Sequence, residues 1–531
     1  MNTMVINSIY KGSDSARMIL GLPVDNVNLT DTIDSVFNMI NDFKNDQRAR
    51  LVASVNVDNL VMAHSWLPGM TPRHPEMLNI LRSADLITAD GMPIVWLSRL
   101  LGRNLKERVA GADLVPALCE TAALKGASVF LLGGQLEVAE QAAENLRNSY
   151  NGLKVAGVAS PMVHVEGVAL DNDEADKKLV DEINASGADI LFIGFGNPKQ
   201  LVWFHRNRHQ LKVPVSIGIG GTYDFIAGKV KRAPLWMQRS GMEWLFRLSQ
   251  DPKRLWKRYF VDLMKFSFMT LPLLLNRSGH GGDKTVTKAK FALHELEAFN
   301  DKFIDSFTQG DKSFRVIALP KQADNLWFER NQAMLEYHAQ QNNYLIFDFS
   351  QVELLGAQLV SYLVRILNQT PRQKVFGIRL TNSAVIRMLK VNRSYDAVIP
   401  YLYESMIELQ KKIDDTNSFP GFYHFLDYDN DNLVVRLFGR LDYEQINSLD
   451  HEALFDSIAK HPAVFDLTHL EYVDSSGLVF FIRLKKFFEQ ANQHYCLTGV
   501  NDNLKQLFKV TRLLESFNLE SSLKKAIKAI Q

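Results

Sequence analysis

The chain has 531 residues, which at roughly 150 residues per domain predicts three or four domains and excludes a small cross-linked scaffold. Apolar residues make up 46% and charged residues 22%, the composition of a globular protein and not of a disordered one. Sixty Lys and Arg against 59 Asp and Glu leave a net charge of +1, which argues against a surface devoted to nucleic acid or another polyanion and leaves only a local basic patch open.

Cys119 and Cys496 fall in distant parts of the chain, so neither a disulfide framework nor a cysteine zinc site is expected, and a reducing cytosol is the simplest compartment. The start, Met1-Asn2-Thr3-Met4, lacks the basic-then-apolar pattern of a signal peptide. No run of about eighteen apolar residues is present, so no membrane-spanning helix is expected.

Short Val- and Ile-rich runs alternate with helical patterns through the first half. Strands are predicted at Arg50 to Val57, Ala84 to Thr88, Ala127 to Leu132, Leu153 to Val158, Ala188 to Gly194 and Val213 to Gly218. Their nearly continuous apolar character suits strands buried on both faces of a parallel sheet. Crossover helices fit Leu136 to Tyr150 and Asp173 to Ser186. The reading is a Rossmann-like, doubly wound α/β domain over residues 1–228.

Residues 229–276 change character. Lys229, Lys231, Arg232, Arg239, Arg247, Lys253, Arg254, Lys257 and Arg258 are opposed only by Glu243 and Asp251 up to Arg258, and Phe260 to Leu275 carries only Asp262 and Lys265 as charges. Arg forks bind phosphate oxygens, so the basic part suits phosphate or an anionic lipid surface; the bland alternative is a solvated helical face. The apolar part suits a helix lying in the headgroup layer, or else a core helix bridging to the next domain. Residues 277–289, with Arg277-Ser-Gly-His-Gly-Gly-Asp283, have linker composition.

The remainder reads as two copies of one small α/β module, residues 290–415 and 416–531. Strands at Tyr344 to Ser350 and at Ala463 to Thr468 each lead to a turn and an apolar helix, at Leu355-Gly356 in one copy and Asp474-Ser475-Ser476-Gly477 in the other. Gly377 to Thr381 and Tyr495 to Gly499 repeat the pattern.

Ligands of open α/β sheets sit outside the carboxyl ends of the strands. Ser54-Val-Asn56, Thr88-Ala-Asp90-Gly91, Gly133-Gly134, Gly194-Phe-Gly196-Asn197-Pro198-Lys199-Gln200 and Gly218-Ile-Gly220-Gly221-Thr222-Tyr223-Asp224 all follow predicted strands. Asp90 fits a general base exposed beside a glycine, or a simple helix N-cap. The glycine turns fit a diphosphate cradle of backbone N–H groups, or turns that merely close tightly; neither holds a complete dinucleotide or P-loop pattern.

Six ordered motifs between about residues 20 and 260 carry a resemblance: Ala89-Asp90-Gly91-Met92-Pro93, Arg108-Val-Ala-Gly111-Ala-Asp113, the Gly194 to Gln200 run, Gly218 to Gly228, Arg232-Ala-Pro234-Leu-Trp236, and Gly241-Met-Glu243-Trp244 with Arg247, Asp251-Pro252, Arg254 and Arg258-Tyr259. In these the chain resembles the WecG/TagA/CpsF glycosyltransferase family. The resemblance implies an inverting, metal-independent transfer of an N-acetylmannosamine-type sugar from a UDP donor to a membrane lipid-diphosphate-linked sugar, by a cytoplasmic protein held peripherally on the membrane and needing no cofactor beyond the UDP-sugar substrate. It implies Asp90 as the base; Ser54, Asn56, Gly133, Gly196, Lys199, Gln200, Gly220, Gly221 and Asp224 around the donor; and Arg232, Arg239, Arg247, Arg254 and Arg258 on phosphate or acceptor. Ser54 stands where the family has Thr, which keeps a hydroxyl. Leu201 stands where it commonly has Glu, which removes a carboxylate from the expected rim.

The two modules resemble STAS domains. Val434 to Asp442 matches the opening strand and turn, and Val473-Asp474-Ser475-Ser476-Gly477-Leu478 the helix-start phosphorylation motif, so the resemblance implies Ser475 as phosphoacceptor and a kinase, phosphatase or anti-sigma-like protein as partner. The alternative is a plain Asp-Ser-Ser helix cap. The first module has Val352-Glu-Leu-Leu-Gly356 there and no serine. Asp171-Asn-Asp173 reads as a helix start before a metal motif, and Asp427-Tyr-Asp429-Asn-Asp431 as a turn before a calcium loop; no metal site is expected. A rival to the enzyme is a non-catalytic scaffold, favoured by Leu201 and opposed by Asp90, Asn56 and Gln200.

Overall fold

The computed structural model describes residues 3–5, 16–65, 72–102, 104–163, 173–239, 241–275, 290–292, 302–309, 312–341, 344–369, 375–380, 382–398, 401–403, 422–429, 432–442 and 462–530, with a few isolated positions between them. The linker expected at 277–289 and most of the Asp171-Asn-Asp173 run lie outside these residues.

The N-terminal domain opens with a short antiparallel hairpin, Arg17–Ile19 with Leu22–Val24. It then alternates helix and strand: α1 (Leu29–Asp46), β1 (Arg50–Val55), α2 (Val57–Ala63), α3 (Met77–Arg82), β2 (Leu86–Ala89), α4 (Met92–Leu100), α5 (Gly111–Lys125), β3 (Ser128–Leu132), α6 (Leu136–Ser149), β4 (Lys154–Ala159), α7 (Asp173–Ala185), β5 (Ile190–Ile193), α8 (Lys199–Asn207), β6 (Val215–Gly218) and α9 (Thr222–Ile226). All six strands expected from the sequence form one sheet in the order β2-β1-β6-β5-β3-β4, every pair parallel.

Both faces of that sheet are covered. Leu51, Ala53 and Val55 of β1 and Leu191 and Ile193 of β5 pack with residues of α2, α3, α4 and α8. The alternating residues Val52, Ile190 and Phe192 pack with α1, α5 and α6 on the other side. Two-residue alternation between two apolar layers is why these strands read as unbroken hydrophobic runs. All six point their carboxyl ends to one edge, where the polar and glycine turns gather.

The basic segment follows as α10 (Leu235–Arg239), α11 (Glu243–Gln250) and a 24-residue helix, α12 (Pro252–Leu275). Its apolar stretch has two faces. Phe266, Met269 and Leu273 are buried in the N-terminal core, whereas Trp256, Phe260, Leu263, Met264, Phe268, Leu271 and Leu275 are exposed, a stripe at helical spacing along the other face.

Each module is a five-stranded sheet whose first pair is antiparallel and whose later pairs are parallel. The first runs β7 (Ile304–Gln309), β8 (Lys312–Ala318), β9 (Tyr344–Asp348), β10 (Val375–Arg379), β11 (Leu402–Tyr403), and the second β12 (Phe422–Asp429), β13 (Asn432–Leu441), β14 (Ala463–Val473), β15 (Tyr495–Thr498), β16 (Leu519–Glu520). The helices used below are α13 (Ala357–Gln369) of the first and α14 (Ser475–Gln490) of the second. Asp427 and Asp429 lie in β12, Asp429 pairing with Asn432 of β13, and Asn430 and Asp431 lie outside the described residues. Both cysteines are free and buried.

Candidate active site

Asp90 follows β2, its N–H donating to the Val55 carbonyl at 2.7 Å. The N-cap of α4 is Gly91, at φ 136° and without a side-chain cap hydrogen bond, and Pro93 sits in the first turn. The carboxyl of Asp90 is therefore not spent on capping, and among the described residues nothing hydrogen-bonds it. Burial pushes its pKa up to about 6, with Glu243 and Asp113 acting in the same direction and the cations of Arg108 and Arg247 against it. A carboxyl poised near neutrality in a cleft at a strand end has the character of a general base.

The neighbouring strand end supplies Ser54 and Asn56. Thr88 Oγ1 donates to Ser54 Oγ at 3.3 Å, across from β2 to β1. Asn56 begins α2 with a reciprocal cap: its Oδ1 accepts from Asn59 N–H at 3.1 Å while Asn59 Oδ1 accepts from Asn56 N–H at 3.0 Å. That cap ends β1 at Val55, two residues before the sequence reading ends it, and commits the Asn56 carbonyl oxygen to structure.

Gln200 ties the glycine turns together. Its Oε1 accepts from Gly220 N–H at 3.0 Å and its Nε2 donates to Asn197 Oδ1 at 3.0 Å; the side chain is buried, and a Cβ on Gly218 would lie 2.8 Å from Nε2. Gln200 thus shapes this edge of the sheet and holds it, whereas Gly196 and Gly220, at φ 74° and 55°, have open space around them. Gly221 is the N-cap of α9, with Asp224 half-buried one turn on. Lys199 Nζ donates to the Val163 carbonyl at 3.4 Å. Gly133 packs against the Phe195 ring, which a Cβ there would meet at 2.6 Å. Leu201 is buried in the core, so the residue type expected at the rim points away from it.

The basic segment folds back on this cleft. Arg108 donates to Glu243 Oε2 and to Asp113 Oδ2, both at 2.9 Å. Arg232 donates to Asp113 Oδ1 at 2.6 Å and lies 3.7 Å from Glu243 Oε1. Two arginines and two carboxylates thus close a ring that binds the appendage to the start of α5. Arg232 Nη2 is buried with no hydrogen-bond partner among the described residues. A Cβ on Gly241 would meet Met92 Cγ at 2.6 Å, so the chain passes directly over α4. Arg247 lies over the Phe225 ring, 4.7 Å from its centroid. Arg258 is exposed and pairs with Asp58 of α2 at 2.6 Å. The side chains of Arg239 and Arg254 lie outside the described residues.

A WecG/TagA/CpsF glycosyltransferase family model matches residues 17–279. The N-acetylglucosaminyldiphosphoundecaprenol N-acetyl-beta-D-mannosaminyltransferase of Bacillus spizizenii is 34% identical over 186 residues, 35% of this chain and 68% of that protein. The chain belongs to this glycosyltransferase family. The protein of the same description from Bacillus subtilis is 33% identical over 197 residues, 37% of this chain and 72% of that protein. A STAS domain model matches residues 426–526. The anti-sigma factor antagonist SpoIIAA in its unphosphorylated form is similar at 18% identity, covering 20% of this chain and 96% of its own, with a TM-score of 0.18.

In the STAS domain of this glycosyltransferase, Asp474 is the N-cap of α14 and accepts from Gly477 N–H at 2.8 Å, and Ser475 is the first helical residue. Both the cap and the motif are therefore present. Among the described residues no cluster of His, Cys, Asp or Glu could hold a metal, and no helix is long and apolar enough to cross a membrane.

The cleft also holds residues that sequence reading did not assign to it. Arg108, Asp113 and Glu243 stood in quoted motifs, but only folding brings them beside Asp90. Tyr223 is buried, its hydroxyl accepting from Leu132 N–H at 3.1 Å and donating to the Phe192 carbonyl at 2.8 Å, while its ring abuts Gly134 and Gly194. It wedges the ends of β3 and β5 apart beneath the glycine turns.

Proposed function

We propose that the domain transfers an N-acetylmannosamine-type sugar, with inversion, from a UDP donor to a lipid-diphosphate-linked sugar at the cytoplasmic face of the membrane, in the assembly of a cell-surface polysaccharide. The names of the two Bacillus relatives support that donor sugar and acceptor class. The observation that carries the mechanism is the uncommitted Asp90 carboxyl, raised to about 6. Asp90 takes the acceptor hydroxyl proton as that oxygen bonds to the anomeric carbon. The bond from that carbon to the UDP oxygen breaks, and the electron pair leaves on the diphosphate.

Arg232, whose Nη2 has no hydrogen-bond partner among the described residues, and Arg247 stand where the leaving charge develops, with Arg239, Arg254 and Arg258 completing the phosphate and acceptor contacts. N–H groups of the turns at Gly196 and Gly221 face the donor diphosphate, and Gly133 and Gly220, whose own N–H groups donate to the Ala159 carbonyl and to Gln200, let it come close to the backbone; Ser54, the Asn56 amide, Lys199 and Asp224 flank the sugar and uridine, and Gln200 holds the turns in register. The exposed α12 stripe lies in the headgroup layer, where each nearby cation contributes about 1 kcal/mol. The STAS modules regulate this transfer, with Ser475 as phosphoacceptor.

UDP release from a panel of UDP-sugars with a polyprenyl-diphosphate-linked acceptor tests the reading. Turnover lost in Asp90→Ala with an unchanged unfolding midpoint supports it, whereas no release from any donor by the wild type refutes it.

A further inference from the structure

The phosphorylation motif of the second module does not face solvent: it is docked on the glycosyltransferase domain. Ser475 N–H donates to Glu76 Oε2 at 2.6 Å, and His205 Nε2 lies 2.8 Å from Asp474 Oδ2. Asp474 and Ser475 are 0% exposed and Glu76 4%. Glu76 is the N-cap residue of α3 but gives that helix no side-chain cap. Its carboxyl oxygen accepts instead from the first N–H of α14.

The two transferase residues in this contact lead straight to the candidate site. His205 lies near the end of α8, a nine-residue helix whose second residue is Gln200, the side chain that spans the two glycine turns. Helix α3 carries Glu76 at its start and Arg82 at its end. Arg82 donates to the carbonyls of Gly21 and, in the first module, Arg393, each at 2.9 Å. The first module is anchored further by Arg365 of α13, 2.6 Å from Asp25, whose other oxygen accepts from Ile87 N–H of β2 at 2.7 Å. One short helix therefore holds both modules, and their anchors end on the elements that carry Gln200 and Asp90.

We propose that the glycosyltransferase domain is itself the binding partner of the second module's helix start, and that a negative charge on Ser475 releases the module and loosens α8. The inference rests on the reading of Ser475 as phosphoacceptor only for its natural trigger. In that step Ser475 Oγ bonds to the γ-phosphorus of a nucleoside triphosphate, the bridging P–O bond breaks with its electron pair leaving on the nucleoside diphosphate, and the hydroxyl proton passes to the modifying enzyme's base. A phosphoryl group there would face the carboxyls of Glu76 and Asp474 with no room and like charge. Because Ser475 is buried when docked, modification captures the open form and keeps it open.

Hydrogen exchange by mass spectrometry on the full chain tests this without requiring turnover, so its outcome is independent of the catalytic reading. Ser475→Asp is expected to speed exchange at least tenfold at Ser475 to Gly477 and at Trp203 to Asn207, while the β14 amides stay protected, showing release and not unfolding. Ser475→Ala leaves exchange as in the wild type. Glu76→Gln keeps an acceptor for Ser475 N–H while removing one charge, and added to Ser475→Asp it recovers at least half of the lost protection. If Ser475→Asp unfolds the module, Glu76→Lys made on the transferase side must open the same two segments. Unchanged exchange at Trp203 to Asn207 in Ser475→Asp, or in Glu76→Lys where that variant replaces it, overturns the proposal, as does failure of Glu76→Gln to suppress.

Discussion

Asp90→Asn retains the shape of the side chain and removes its capacity to accept a proton. General-base assistance is worth roughly 10²–10⁴ in rate, or about 3–5 kcal/mol of barrier at 1.36 kcal/mol per tenfold. The structure adds a pH signature, because burial lifts the Asp90 pKa from 3.8 to about 6. The free wild-type enzyme should show half-maximal kcat/KM near pH 6 and about one tenth of the plateau at pH 5. The same shift fixes the sign of a stability effect: the fold binds the proton more tightly than the unfolded chain, so stability falls as pH rises from about 3.8 through 6. At neutral pH the charged Asp90 therefore costs up to about 3 kcal/mol, and Asp90→Asn should melt at or above the wild-type temperature while losing turnover. The assay is steady-state UDP release between pH 5 and 8, alongside thermal unfolding of both proteins. A variant that keeps more than a tenth of the rate, or that retains the acid limb at pH 6, refutes the assignment.

Arg108 and Glu243 act on Asp90 with opposite sign, so Arg108→Gln should move the acid limb of kcat/KM up in pH and Glu243→Gln should move it down; shifts in the same direction would contradict the geometry. Gln200→Ala leaves the Gly220 N–H without its acceptor, which should cost about 1–3 kcal/mol of stability and raise the donor KM more than it lowers kcat. Docking of the second module should weaken as pH rises: burial and the neighbouring Asp474 charge lift Glu76 from 4.5 to about 7, against the pull of the Ser475 N–H and hydroxyl and of His205, with Tyr472 and Arg440 also facing this cluster. Because docking favours the protonated acid, docking weakens as pH rises toward about 7, to be read as faster exchange at Ser475 to Gly477 at pH 8 than at pH 6 after correction for the intrinsic rate.

The six parallel strands were legible because two-sided burial makes a strand apolar throughout, as in Ile190-Leu-Phe-Ile193. Their ends were legible to within about two residues, the first being cut short by the Asn56 cap. The glycine turns and Asp90 were visible as types at strand ends, but the choice between cap and base depended on Gly91 taking the N-cap at φ 136°, a backbone fact that residue order does not encode. The ion ring was not legible, because Arg108 and Glu243 are 135 positions apart and either could be an ordinary surface charge. Glu76 gave no signal at all: its partner lies 399 residues away, and an acid ahead of a short helix is what a plain helix start contains.

The charge distribution separates two tasks that the basic segment presented as one. Arg232 and Arg258 are already paired with carboxylates of the domain, and Arg247 is turned onto Phe225, so these cations belong to the cleft and its rim. Lys253 and Lys257, in contrast, are exposed on α12 beside the exposed Trp256 and Phe260. Alternation of cation and aromatic on one helical face suits an anionic headgroup layer, where rings insert shallowly and ammonium groups remain hydrated. The ring of Arg108, Asp113, Arg232 and Glu243 ties the appendage to the start of α5, and charges of Arg108, Asp113 and Glu243 act on the Asp90 carboxyl. The appendage therefore joins the exposed stripe to the candidate site by continuity of chain: α12 carries the stripe, and α10 and α11 lead back to the ion ring beside Asp90.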